Sequence, residues 1–164
     1  MPTDTRLNKE LVQALPRLRR FARALTGNAH DADDLVQTGL EKALAKSGQL
    51  RDGAAVCSWM FGILRNAWID EARSRSRRNR MFAPEELGES VADPAAGGQT
   101  EALAVQAALA RLPQEQREAV ALVLIEGLSY AEAAQITGVP VGTVTSRLAR
   151  GREALQGLLG PRGE

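Results

Sequence analysis

The sequence predicts an all-α protein: two small helical domains, residues 5–82 and 101–160, joined by a flexible acidic linker over 83–100, with a helix-turn-helix in the second domain. Three observations carry this. Aromatics are only 4% of the chain and no run alternates β-branched with polar residues, whereas apolar residues recur at three-and-four spacings. Residues 83–100, APEELGESVADPAAGGQT, hold two prolines, three glycines and four acids with almost no large apolar group, too little to bury for an ordered core. The stretch Leu128 to Leu155, LSYAEAAQITGVPVGTVTSRLARGREAL, reads as two short helices meeting at a tight corner.

In the first domain, Leu11, Leu15, Leu18, Ala22 and Leu25 line one face of a helix over about 8–25, with Arg17, Arg19, Arg20 and Arg23 mostly outward. Pro16 is expected to kink this helix or end a first segment, and Thr26-Gly27-Asn28 stops it. A second helix starts near Asp31, where Asp31, Asp33 and Asp34 meet the positive end of the helix dipole, and carries Leu35, Val36, Leu40, Ala43 and Leu44 as its apolar stripe. A third helical region runs from about Ala54 through VCSWMFGILRNAWIDEARSRSRRNR, as one long helix or two in series. Trp59, Ile63, Ala67 and Trp68 suit core packing, and the arginines emerge at its end.

The linker has a coil span of roughly 20–25 Å, which predicts domains that move independently. Beyond it, Thr100 caps a helix over about 101–111 and Pro113 opens another, carried by Val120, Val123 and Leu124 to the Gly127 corner. Ser129 and Glu132 form a capping box for a helix over about 130–136. Gly138 supplies a permissive corner, and Pro140 disfavours helical geometry at Val139 before a second helix runs to about 155. Its Val141, Val144, Leu148 and Leu155 are expected to pack on Ala133, Ala134 and Ile136, leaving Thr143, Thr145, Ser146, Arg147, Arg150 and Arg152 on the other face. Hydroxyls and guanidiniums so placed suit phosphates and base edges, which makes this a candidate DNA reader.

Charge divides unevenly between the halves. Residues 1–82 hold 15 Lys+Arg against 9 Asp+Glu, and residues 83–164 hold 6 against 11, so a net +1 conceals a basic half and an acidic half. Much of the surplus is Arg73, Arg75, Arg77, Arg78 and Arg80, a natural footprint for nucleic acid. One cysteine, Cys57, and one histidine, His30, exclude an internal disulfide and leave a zinc site short of ligands, so no metal or cofactor is expected. With neither a signal peptide nor a long apolar run, the expectation is a cytoplasmic chain without membrane insertion.

Two stretches, in order and at the right separation, resemble one family. The first is Asp31-Ala-Asp33-Asp34-Leu35-Val36-Gln37, then Trp59, Ile63-Leu64-Arg65-Asn66 and Ile69-Asp70; the second is Leu112-Pro113, Gln116-Arg117, Gly127-Leu128-Ser129-Tyr130, Gly142-Thr143-Val144 and Ser146-Arg147-Leu148. The chain resembles an extracytoplasmic-function (ECF) sigma factor, the minimal promoter-recognition subunit of bacterial RNA polymerase, and its phrasing is similar to the alphaproteobacterial general-stress subgroup.

The resemblance implies that residues 5–82 dock on core RNA polymerase and recognise and melt the −10 element, while residues 101–160 read the −35 element. Asp31, Asp33, Asp34 and Gln37 would form the polymerase-docking edge; Thr38-Gly39 stand where relatives often carry acidic or bulky residues. Asn66 would read a flipped −10 base, supported by Arg65 and Asp70, with Arg73, Arg75, Arg77 and Arg78 on phosphates. Arg147 and Arg150 lead at −35, one for a guanine edge and one for phosphate, with Thr143, Thr145, Ser146 and Arg152 beside them. The implied partners are core RNA polymerase, promoter DNA and an anti-sigma factor. A stand-alone helix-turn-helix regulator is the alternative, but it leaves the acidic edge and the Trp59–Asn66 segment idle. An enzyme is not expected, since no phosphate loop or nucleophile–base pair is present.

Overall fold

The computed structural model describes residues 2–50, 55–81 and 100–160, and among them the regular elements are all helical, with no strand. Helix α1 (Pro2–Thr26) continues through Pro16, so the alternative of a helix end at this residue is not realised. The bond that Pro16 cannot make belongs to the carbonyl of Val12, and Val12 is 65% exposed, so water reaches that side of the helix. Gly27 turns the chain at φ +86°, and Asn28 caps α2 (Ala29–Ala45), its side chain accepting from the Asp31 N–H at 2.8 Å. Helix α2 therefore starts two residues ahead of Asp31.

Of the two arrangements open for the third region, a single helix forms, α3 (Val56–Met81). Leu18, Phe21, Met60, Phe61 and Leu64 are fully buried between α1, α2 and α3, with the Phe21 and Phe61 rings 4.8 Å apart. Gly39 sits where α2 and α3 approach: a Cβ there would lie 2.5 Å from Leu64 Cδ2. Small size at this position serves helix packing, since the residue is buried. Leu44, expected in the stripe, is 53% exposed because 100° per residue rotates it past the seam of Leu35, Val36, Gly39 and Ala43.

The second half contains α4 (Thr100–Ala110), α5 (Gln114–Ala119) after an N-cap at Pro113, a π-helical turn (Val120–Ile125), α6 (Tyr130–Thr137) and α7 (Val141–Leu159). The π turn was not expected from VALVLI. Val144 and Leu148 are buried against Ala133 and Ala134 as the spacing predicts, and Gly151 continues that seam, with a virtual Cβ 2.8 Å from Val120 Cγ2. Val141, the first residue of α7, is 45% exposed instead.

The acidic linker lies outside the described residues except for Thr100, which begins α4. The halves it joins are not separate bodies here: one apolar cluster runs from Leu18 and Phe61 to Leu109, Leu122, Val144 and Leu148. Arg117 fastens them further, donating to the carbonyls of Leu25 at the end of α1 and of Ala110 and Leu112, at 2.8, 3.2 and 2.8 Å. Its burial lowers the guanidinium pKa, and its Nε is buried without a partner.

Candidate nucleic-acid interface

The corner between α6 and α7 is built from local hydrogen bonds. The Ser129 hydroxyl accepts from the Glu132 N–H at 3.0 Å and the Glu132 carboxylate accepts from the Ser129 N–H at 2.8 Å, a complete capping box. Gly138 ends α6 in the left-handed region at φ +74°, and Pro140 is the N-cap of α7. On α7, Thr145, Ser146, Arg150 and Arg152 are exposed, while Thr143 and Arg147 are half-buried. Helical rotation groups Thr143, Arg147 and Arg150 on one edge and Thr145 and Arg152 on another. The Thr145 hydroxyl donates back to the Val141 carbonyl at 3.1 Å, which leaves its oxygen as an acceptor. Among the described residues Arg147, Arg150 and Arg152 make no ion pair, so their guanidiniums are free for an anionic ligand.

The acidic edge of α2 is divided. Asp33, Asp34 and Gln37 are exposed, with Asp34 3.5 Å from His30 Nε2. Asp31 turns the other way. Its two oxygens accept from Arg75 Nη2 and Nη1 at 3.1 Å each, and one also accepts from Asn28 Nδ2 at 3.0 Å. These bonds hold its carboxyl below the usual carboxylate range, Arg75 being the chief cause. His30, Asp31 and Asp34 offer ligand atoms within 4.8 Å of one another, but the Asp31 oxygens are already committed to Arg75.

The residues singled out on α3 do not share a surface. Asn66, Asp70, Arg73, Arg77 and Arg78 are exposed, whereas Arg65 and Arg75 are half-buried. Arg75 donates to Glu71 at 2.9 Å as well as to Asp31, and its guanidinium lies 5.4 Å from the centre of the Trp68 ring. Its pKa is raised, mainly by the bond to Asp31. Arg65 bridges the halves: Nε donates to Glu118 at 3.1 Å and Nη1 to the Asn66 side-chain oxygen at 3.3 Å.

Two acids of the second half escaped the sequence reading. Glu126, with a fully buried side chain, accepts from Arg17 Nε at 3.2 Å and from Arg20 Nε and Nη2 at 2.9 and 2.8 Å. Glu118, also buried, takes Arg65 and Gln114. Only the charge asymmetry between the halves hinted at this pairing. Between α3 and α6 a cleft of about 590 Å³ remains, lined by Trp59, Ile63 and Asn66 on one side and Glu132, Gln135 and Ile136 on the other.

Known proteins share this fold. Residues 102–155 match the family model described as Sigma-70, region 4, and residues 11–65 the model described as the Sigma2 domain of PhyR. The ECF RNA polymerase sigma factor EcfG of Rhodopseudomonas palustris is 40% identical over 159 residues, 97% of this chain and 88% of that protein. The chain belongs to the ECF RNA polymerase sigma factors. A second ECF sigma factor, SigM of Mycobacterium tuberculosis, is 45% identical over 87% of this chain and 71% of its own length. The solved sigma factor RpoE of Bartonella quintana, in complex with the anti-sigma factor NepR, superposes with a TM-score of 0.83 at 38% identity, covering 93% of this chain and 95% of that one. Sigma factors direct RNA polymerase to promoters and are not themselves enzymes. No helix among the described residues of this ECF sigma factor is long and apolar enough to cross a membrane.

Proposed function

We propose that residues 5–82 dock on core RNA polymerase and melt the −10 element, and that residues 101–160 read the −35 element, in a cytoplasmic initiation factor without catalytic activity of its own. The observation that carries this is the presence of two exposed charged surfaces on different halves: the carboxylates of Asp33 and Asp34 on α2, where the one basic group near Asp34 is the exposed His30, and the arginines of α7 that have no acidic partner among the described residues. Asp33, Asp34 and Gln37 contact polymerase, Asn66 takes a −10 base, and Arg147 and Arg150 engage −35 with Thr143, Thr145, Ser146 and Arg152 at their sides. An anti-sigma factor of the NepR kind is the proposed restraining partner, on the strength of the likeness to RpoE.

The two promoter elements lie about 25 base pairs apart, roughly 85 Å along B-DNA at 3.4 Å per step. A compact chain of 164 residues has a radius of gyration of about 15 Å. Reading both elements at once therefore requires the halves to part, which frees Arg65 from Glu118 and opens the cleft that Asn66 lines.

One observation favours a second reading. Residues 11–65 match a PhyR model, and PhyR of Bartonella quintana is an anti-anti-sigma factor complexed with NepR, so a decoy that binds an anti-sigma factor is the competitor. Run-off transcription from a promoter library, with purified chain and core polymerase, tests both. Specific transcripts that disappear with Arg147→Ala at promoters dependent on their −35 sequence support initiation. Binding to NepR with neither core binding nor transcripts supports the decoy.

A further inference from the structure

Helix α3 outruns its core. From Arg73 onward no residue is fully buried, and the last five described side chains, 76–80, are all exposed. A helix end with so little buried surface gains little from packing, and its five arginines repel one another even though the last of them suit the C-terminal dipole, so it would fray unless something held it.

What holds it is one cluster. Arg75 reaches across to α2, where both Asp31 oxygens accept from it; Glu71 accepts from its Nε; and its guanidinium covers the Trp68 ring. Asp31 is fixed in turn by Asn28, which both caps α2 and donates to the carboxylate. Arg78 adds a weaker tie, 3.8 Å from Glu71 and 3.0 Å from the Ser74 hydroxyl. At 100° per residue, Trp68, Glu71, Arg75 and Arg78 fall within an arc of about 80°. Asn66, Asp70, Arg73, Arg77 and Arg80 fall within another arc of about 80° on the opposite side of the helix. The second set is exposed throughout, and its three arginines have no ion pair among the described residues.

We infer that Asp31 is a positioning residue rather than a polymerase-docking one: through Arg75 it pins the basic end of α3 to α2, so that Arg73, Arg77 and Arg80 present to DNA phosphates on the Asn66 side while Arg75 itself contacts none. The pin converts a freely fraying basic tail into a ridge in register with the base reader. A guanidinium already shared between two carboxylates and an aromatic face has little left to offer a phosphate, and leaving that site would strand Asp31. This inference rests on the reading above that the exposed side of α3 meets promoter DNA.

The test uses the full chain and a mixed-sequence duplex with a single-stranded end, titrated over a range of salt. Each phosphate neutralised contributes about 0.9 to the slope of log K against log salt on duplex, and about 0.7 on single strand. Arg77→Gln should reduce the slope by about that amount. Arg75→Gln and Asp31→Asn should each weaken binding roughly two- to fivefold, the modest range of an ion pair that solvent still reaches on the Arg75 side, with the slope unchanged. The double variant should bind no more weakly than either single one, because both remove the same pin. Affinity of Asp31→Asn for core polymerase should stay within twofold of the parent. A slope reduced by Arg75→Gln, additive losses, or loss of core binding by Asp31→Asn overturns the pin. An unchanged slope in Arg77→Gln overturns instead the reading that α3 meets DNA, so the two failures are told apart.

Discussion

Removing the acid and removing the bases at the junction of the halves should have unequal costs. Glu126 has no exposed side-chain surface, while its partners Arg17 and Arg20 remain 38% and 52% exposed. In Glu126→Ala, the two guanidiniums lose a carboxylate but water can rehydrate them, so the loss is that of hydrogen bonds to a charged group at a partly solvated site, about 2 kcal/mol. Arg17 also keeps its bond to the Glu126 backbone carbonyl, at 2.9 Å, whatever the side chain. In the Arg17→Ala, Arg20→Ala double variant, the carboxylate is left dry and unpaired, which costs about 3–5 kcal/mol while the halves stay together. The chain can escape that cost by separating. Urea unfolding followed by circular dichroism, with small-angle X-ray scattering in parallel, reads both effects. The double arginine variant should show the larger fall in midpoint or an expanded radius with helix content unchanged; Glu126→Ala should stay compact with a smaller fall. An equal or smaller effect of the arginine pair would refute the assignment of Glu126 as the buried member.

Asp33→Ala with Asp34→Ala should abolish competition for core polymerase while the melting temperature moves little, since both side chains are exposed; unchanged competition would end the docking assignment. Gly39→Ala places a methyl against the fully buried Leu64. Overpacking costs about 1–3 kcal/mol and alanine's helix propensity returns about 1, so thermal unfolding should show a net loss of about 0–2 kcal/mol and no stabilisation. The Asp31 pKa is depressed on folding, so its contribution is complete above the ordinary carboxylate value of about 4 and is lost as pH falls through the lower folded value. Unfolding free energy measured from about pH 5 to pH 2 should therefore drop more steeply in the parent than in Asp31→Asn.

Signals that act within one turn of chain were legible. Ser129 and Glu132 are three residues apart, and Gly138 sits at the corner, so spacing alone fixed the cap and the reversal. Val144, Leu148, Leu35 and Val36 followed helical period into the core for the same reason. What could not be read was pairing across distance: Arg20 and Glu126 are 106 residues apart, and Arg75 and Asp31 are 44 apart. A run such as VALVLI carries nothing that separates a π turn from an α one, because both bury the same apolar groups. The acidic edge was visible as a cluster, but only the α3 helix folding alongside reveals that Asp31 leaves it.

The buried carboxylates also decide how the junction comes apart. A small gap would pull Glu126 away from Arg17 and Arg20 before water could reach it, and Glu118 from Arg65 in the same movement, so intermediate separations carry the charge cost without its relief. Under the proposed promoter reading, separation of the halves would therefore resemble a snap fastener rather than a hinge, favouring closed or fully parted states over small gaps. Whatever opens this sigma factor has to supply the whole difference in one step, and a ligand too weak to do so leaves the closed population almost untouched.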